Sequence, residues 1–335
     1  MIGPRMVGKT SLIKVANTKL DHKGIYVNLW GAKSTNGLLN ALVTSLNQSK
    51  SLVQTIKDGA RRIEGLSVGP SGISVTIPKK PLTTTWDLLN LVGRQSGKCV
   101  IELDEVQELA VISGHLIKVL ANIFNTYTNI VFVFTGSMFG LMKTLTEPKS
   151  SNSPLYGRPP AKVYLRPFDK KKSIDFLKKG FEEYRMQVNE DVISKAVEER
   201  LDGIPGWLTL YGNNVAVARL GQEKAMQETV NEALKIVKDE VGHYLKGRNR
   251  YAHLAALKVC ATSARWSEVK GAIEARTRKG SRSSVNDATV HNVLESLKAA
   301  MLIEEERQQE GAVGGRVYTV RDPMLRTLLL TTRMS

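Results

Sequence analysis

Cysteine is nearly missing from this chain: two in 335 residues, Cys99 and Cys260. They stand far apart in apolar surroundings, which excludes a disulfide framework and offers no metal-ligand spacing, so both read as buried free thiols. Long apolar runs are missing too. The longest, Ile130 to Phe134 and on to Met142, is interrupted by Thr135-Gly136-Ser137 and falls short of the ~20 residues a membrane-spanning helix needs. No signal-peptide pattern precedes the first motif. A cytoplasmic protein with no membrane partner is expected. Acidic residues are scarce only at the two ends. Residues 1–100 carry 4 Asp/Glu against 14 Lys/Arg, residues 101–234 carry 17 against 16, and residues 235–335 carry 11 against 18, within an overall charge of +16. A polyanion would therefore meet the ends of the chain and not its middle. The 42% hydrophobic and 24% charged content is otherwise that of a globular chain long enough for two or three domains.

What the chain does have is a glycine-rich phosphate loop at its start. Gly3 to Thr10 reads G-x-x-x-x-G-K-T. Glycines let backbone N–H groups turn inward as an anion nest, Lys9 can place an ammonium on the β- and γ-phosphates, and Thr10 can offer its hydroxyl to Mg²⁺. Ser11 opens a helix whose positive end adds to the site. Gly3, Val7, Gly8, Lys9, Thr10 and Ser11 are the nucleotide-binding candidates. Such a loop normally follows a buried strand, yet only Met1 and Ile2 stand before Gly3. Either the chain starts late or another segment fills the place.

Downstream, short apolar segments alternate with helical spacing. Strands are predicted at 24–29, 99–103, 130–135 and 162–165, and helices at 9–20, 36–46, 86–92 and 115–124. Strand-helix alternation implies an α/β fold: a parallel sheet with helices on both faces. Residues 63–77 alternate on either side of Gly69-Pro70-Ser71-Gly72, which is a hairpin signature. With Arg61, Arg62, Lys79 and Lys80 it forms a basic insertion over about 61–80. Three domains are read: a nucleotide-binding core over 1–167, a helical lid over 168–246, and a winged helix over 247–335 made of three helices and a two-stranded wing.

The strand Val100 to Leu103 delivers Asp104 and Glu105 to its C-terminal edge, where open α/β sheets bind ligands. This looks like a Walker B element, with Asp104 on Mg²⁺ and Glu105 as general base toward the attacking water. Thr135 or Ser137, after the next strand, can sense the γ-phosphate, although Ser137 also suits a helix N-cap. Arg158, preceded by Gly157, can stabilise transition-state charge in cis or across a subunit boundary, or can anchor its loop by a salt bridge. Gln107 reads as a helix-surface residue in preference to a water-placing one. In the winged helix, residues 285–300 would enter the major groove. Val290, Val293, Leu294 and Leu297 would face inward, leaving Asn286, Thr289, His291, Asn292 and Ser296 toward solvent. Arg276, Arg278, Lys279 and Arg282 precede that helix and suit phosphates, and Arg316 would stand on the wing. Glu304-Glu305-Glu306 on the same wing opposes DNA.

Taken in order, GPRMVGKTSL, IELDEVQEL, FTGSMFGLM, LYGRPP, GIPGWLTLYG and YTVRDPMLR resemble the archaeal ATPases of the STAND branch, close to AAA+ proteins. The resemblance covers nearly the whole chain. It implies ATP and Mg²⁺ as ligands, a Walker A of Gly3, Gly8, Lys9 and Thr10, and a Walker B of Asp104 and Glu105. It matches Arg158 to the family's glycine-arginine element. It also matches Gly203-Ile204-Pro205 to the family's G-x-P turn, whose proline faces adenine. Met6 departs from the family, where a second basic residue is common. The expected function is ATP hydrolysis coupled to double-stranded DNA through the winged helix. The alternative is a STAND-type signalling switch whose winged helix binds protein and not DNA; a homo-oligomer or a protein partner is a further candidate.

Overall fold

The helix foreseen after the glycine-rich loop is α1, Lys9–Lys19. The computed structural model describes residues 1–19, 23–95, 97–136, 145, 154–156, 160–277, 285–307 and 315–331. These fall into two units: residues 1–3 with 9–165, and residues 4–8 with 166–335.

In the first unit α1 is followed by β1 (Lys23–Asn28), α2 (Thr35–Asn47) and α3 (Lys50–Ala60). Then come the hairpin strands β2 (Leu66–Gly69) and β3 (Gly72–Val75), α4 (Pro81–Gly93), β4 (Cys99–Asp104), α5 (Ser113–Thr126) and β5 (Ile130–Phe134). The parallel sheet has the order β1-β4-β5. β4 is central and buries Cys99, Ile101, Glu102, Leu103 and Asp104, as a strand covered on both faces must. α2 starts where Ser34 Oγ accepts the Gly37 N–H at 3.1 Å, a side-chain N-cap. Its Leu38, Leu39, Leu42, Val43 and Leu46 recur at helical spacing and are all buried, each contributing about 1.5–3 kcal/mol relative to exposure. The foreseen hairpin pairs antiparallel with Gly69 opposite Gly72. Arg61, Arg62, Lys79 and Lys80 beside it are exposed. α3 was not foreseen; its Leu52, Ile56 and Ala60 are buried.

The place of the strand before the loop is taken by Met1, whose amine donates to Phe134 O at 2.5 Å, and by Ile2. Ile2 bridges in parallel to Gly136 on one side and Tyr164 on the other. Its N–H donates to Val163 O and its carbonyl accepts from Leu165 N–H, both at 2.8 Å. The strand predicted at 162–165 is thus reduced to that bridge. One segment, Val106–Thr126, is by length and composition alone long and apolar enough to cross a membrane. It is a 3-10 turn, Val106–Ile112, leading into α5. Leu116, Ile117, Leu120, Ala121 and Ile123 of that helix are buried in its own unit.

The second unit holds α6 (Lys170–Glu183), α7 (Glu190–Ala196), the π-helical turn Val197–Leu201, α8 (Pro205–Ala216) and α9 (Gln222–Tyr244). After them come α10 (Arg250–Cys260), β6 (Ala264–Arg265), α11 (Trp266–Thr277), α12 (Asp287–Ala299), β7 (Glu304–Arg307), β8 (Arg316–Thr319) and α13 (Pro323–Thr331). The last three strands form an antiparallel sheet ordered β6-β8-β7, one strand more than the foreseen wing. Cys99 and Cys260 are buried and unbridged, and burial pushes the Cys260 thiol up to about 12.

Candidate active site

Asp104 ends the central strand, and the side chains bonded to it come from α1, from β1 and from just after β5. Leu103 pairs with Phe134 across β4 and β5. Thr135, fully buried, therefore falls beside Asp104 and donates its hydroxyl to Asp104 Oδ1. The Glu105 N–H donates to the same oxygen at 3.1 Å. On the other oxygen, Oδ2, Thr10 donates at 2.7 Å from the start of α1 and Tyr26 donates its phenol at 2.6 Å from β1. Both carboxylate oxygens are thus doubly hydrogen-bonded. Burial works to raise the Asp104 pKa, but the donated bonds from Thr10, Thr135, Tyr26 and the Glu105 N–H hold it below the ordinary carboxylate value. The phenol is pushed the other way. Its own burial and the Asp104 carboxylate raise the Tyr26 pKa.

Lys9, only 6% exposed, donates Nζ to Gly3 O at 2.8 Å. Glu105 takes the left-handed backbone at φ 58°, a conformation that costs a non-glycine residue roughly 1–2 kcal/mol. Its N–H is held by both Asp104 Oδ1 and, at 3.3 Å, Thr135 Oγ1, which pins the turn. Its side chain accepts from Gln107 Nε2. The 3-10 turn after the strand, Val106–Ile112, is what brings Gln107 back onto Glu105, where a helix-surface position was expected. Asn17 on α1 donates to the buried Glu102 at 2.5 Å.

An ionised carboxylate and a hydroxyl 2.7 Å apart supply the hard oxygen ligands that Mg²⁺ takes when phosphates and waters complete its shell. Among the described residues no cluster of three His, Cys, Asp or Glu side chains exists, and a magnesium site of this type needs none. The residues fit the ion.

Residues 1–210 match the family described as an ATPase domain predominantly from Archaea. The chain belongs to this archaeal ATPase family. A solved Walker-type ATPase of Pyrococcus abyssi is similar over 98% of this chain and 89% of its own, at 26% identity and a TM-score of 0.73. The Orc1 protein of Aeropyrum pernix in complex with DNA is more distant: 16% identity and TM-score 0.45, over 98% of this chain and 85% of its own. Cdc6p from Pyrobaculum aerophilum stands at 14% identity and the same TM-score, over 98% and 85%. No curated protein matches the chain. The protein is a P-loop ATPase of α/β fold, and it binds nucleotide.

Of the other predicted site residues of this ATPase, Ser137, Arg158, Arg278, Lys279 and Arg282 lie outside the described residues. In the second unit, Gly8 takes φ 92° and Met6 φ 62°, and the Gly206 N–H donates to Met6 O at 2.8 Å. Pro205 occupies the first turn of α8 and is buried. Gly203 sits at φ 71°, where a Cβ would collide with the carbonyl oxygen of Phe168. Trp207, two residues past Pro205, is buried and points its Nε1 at both oxygens of Asp322, at 3.3 and 3.4 Å. Asp322 also caps α13 by accepting from Met324 and Leu325 N–H.

The DNA candidates divide. Thr289, His291 and Asn292 are exposed on α12. Asn286 is exposed too, but its side chain caps that helix by accepting from Ala288 N–H at 2.7 Å. Arg276 is half-buried in the last turn of α11. Ser296 does not face solvent as foreseen: its Oγ lies 2.7 Å from the Tyr244 hydroxyl on α9. Arg316 pairs with Glu305 at 3.2 Å. Sequence reading missed Tyr26 as a site residue. Its one signal is position: it is a hydroxyl-bearing residue on the strand that pairs with β4, opposite Glu102, and so on the face that also carries Asp104.

Proposed function

We propose that the ATPase hydrolyses Mg²⁺-bound ATP at the Lys9, Thr10, Asp104 and Glu105 cluster and couples the nucleotide state to double-stranded DNA. The convergence of Thr10 and Asp104 at 2.7 Å, with Glu105 beside them, carries the first half. Thr10 and Asp104 would hold Mg²⁺, which would supply positive charge against the phosphates. The γ-phosphate replaces Gly3 O as the acceptor for Lys9. Glu105 takes a proton from a water whose oxygen bonds to the γ-phosphorus. The bond from phosphorus to the bridging oxygen breaks, and ADP leaves with its electron pair. Thr135, whose hydroxyl donates to Asp104 Oδ1, senses the γ-phosphate. Arg158 supplies transition-state charge.

For the second half, α10, α11 and α12 with the sheet β6-β8-β7 form a winged helix. Thr289 and Asn292 present exposed polar groups on the third helix, and Asn286 caps its N-terminus. Arg276, Arg278, Lys279 and Arg282 carry the phosphate contacts. One observation favours a second reading, a switch whose winged helix binds protein. Arg316 and Lys298 pair with Glu305, and Arg321 pairs with Glu304 and Glu306, so the wing's acids engage three of the cations around them.

The test is ATP turnover by the full chain and by Lys9→Ala, with and without duplex DNA at two salt concentrations. Lys9-dependent turnover raised by DNA supports coupling. Replacing Arg278, Lys279 and Arg282 with Gln should then flatten the slope of log affinity against log salt by roughly 3, about 0.9 per phosphate contact. Lys9-dependent turnover that ignores DNA moves the winged helix to protein recognition. No Lys9-dependent turnover refutes hydrolysis at this site.

A further inference from the structure

Gln107 offers two polar ends in a tight space. Its Nε2 donates to Glu105 Oε2. Its Oε1 is enclosed and, among the described residues, accepts no hydrogen bond. The amide cannot be turned round, because Oε1 would then face a carboxylate oxygen. Nor is the side chain loosely placed. Val106 and Leu109, on the same 3-10 turn, are fully buried. The Val106 N–H donates to Thr135 O and the Glu108 N–H to Glu105 O, both at 3.0 Å. Glu105 itself is fixed at φ 58° by its N–H bonds to Asp104 and Thr135. A rigid turn thus holds a carboxylate and an unsatisfied amide oxygen side by side. A buried acceptor without a partner is unfavourable and is commonly satisfied by an ordered water.

We propose that Gln107 is a positioning residue that, together with Glu105, holds the attacking water. The water donates one hydrogen to Glu105 and the other to Gln107 Oε1, while Nε2 keeps the carboxylate turned toward that water. Gln107 takes no proton and makes no covalent bond. Its work is orientation, which matters because misplacing a reacting atom by about 1 Å can cost 10²-fold in rate. The inference rests on reading Glu105 as the general base.

The test uses the full chain and Gln107→Leu, which keeps the bulk and removes both polar ends, beside Gln107→Glu and Glu105→Gln. Expected for Gln107→Leu is a kcat lower by about 10–100-fold, affinity for a fluorescent ATP analogue within about twofold of wild type, and an unchanged or higher melting temperature. Gln107→Glu should be as slow, since its carboxylate repels Glu105. A kcat within about twofold of wild type overturns the proposal. A raised kcat also overturns it, because Gln107 would then be restraining Glu105. So does a rate loss matched by equal losses of affinity and melting temperature, which marks a structural residue. A wild type with no Glu105-dependent turnover refutes the general-base reading instead. Gln107 is then judged by the side-chain amide ¹⁵N–¹H signals of nucleotide-free protein, assigned by their loss in Gln107→Leu. One amide proton shifted downfield in wild type and returned in Glu105→Ala supports the pairing; identical signals in both overturn it.

Discussion

Replacing Tyr26 with Phe removes one oxygen and leaves the strand, the ring and the Lys14 ammonium 5.5 Å from the ring centroid in place. What is lost is a 2.6 Å hydrogen bond to Asp104 Oδ2. Bonds to charged acceptors contribute about 1.5–3 kcal/mol to stability. Tyr26 is half-buried, so water can take part of the place of the phenol and the lower end applies, ~1.5 kcal/mol. For a unit of this size that is a fall in melting temperature of about 3–6 °C. The assay is thermal and urea unfolding of the nucleotide-free chain at neutral pH, run as a double-mutant cycle with Asp104→Ala. The two losses must couple, because the phenol has no charge to bind once Asp104 is gone. The sign with pH is also fixed. The Asp104 pKa is lowered in the folded chain, so its bonds stabilise above the ordinary carboxylate range and that stabilisation fades as pH falls through the folded value. The Tyr26→Phe penalty should shrink in acid with it. A loss below about 0.5 kcal/mol, or the same loss in the Asp104→Ala background, would refute the claim that this phenol helps hold the carboxylate ionised.

Gly203→Ala should destabilise the second unit by at least about 2 kcal/mol, since φ 71° and the Phe168 carbonyl oxygen both oppose a Cβ. Gly212→Ala, whose Cβ would meet only Leu177 Cδ2 at 3.6 Å, should stabilise by up to about 1 kcal/mol; urea unfolding checks both. The His253 pKa is lowered by burial and, to a smaller extent, by the Arg248 cation. Below about pH 6.5 the unfolded chain binds a proton the folded imidazole refuses, so stability falls with pH by at most about 1.4 kcal/mol per unit. Unfolding titrated from pH 7 to 5 should show a flatter loss in His253→Gln, and equal slopes would contradict this. Arg158→Ala should lose turnover while keeping nucleotide affinity. If the guanidinium acts across a subunit boundary, mixing Arg158→Ala with Lys9→Ala restores part of the rate; no recovery on mixing places it in cis.

The parts of the site legible in the sequence are those whose chemistry and spacing are local. Gly3 to Thr10 is contiguous, and the apolar run ending in Asp104 needs only a strand, so both are found where the pattern put them. Gly69 opposite Gly72 is equally local, because a short loop sets its own register. Tyr26 was not legible for the opposite reason. Its bond to Asp104 depends on which residues of β1 and β4 face each other, and that register, Tyr26 opposite Glu102, is decided by the packed sheet. Ser296 was misread because helical periodicity distinguishes an inward stripe from the rest but cannot say that a second helix will cover part of the rest; Tyr244 does so. Gln107 is the most instructive miss. In an α-helix, residues two apart do not face each other, so Glu105 and Gln107 look independent on paper. The left-handed φ of Glu105 and the 3-10 turn after it bring them together. Nothing in Glu105-Val106-Gln107-Glu108 announces that backbone; it follows from the N–H bonds that Asp104 and Thr135 take from Glu105 and the bond Thr135 O takes from Val106. The Asp104 carboxylate therefore also shapes the turn that carries Glu105, and a substitution at Asp104 should disturb Glu105 even in nucleotide-free protein.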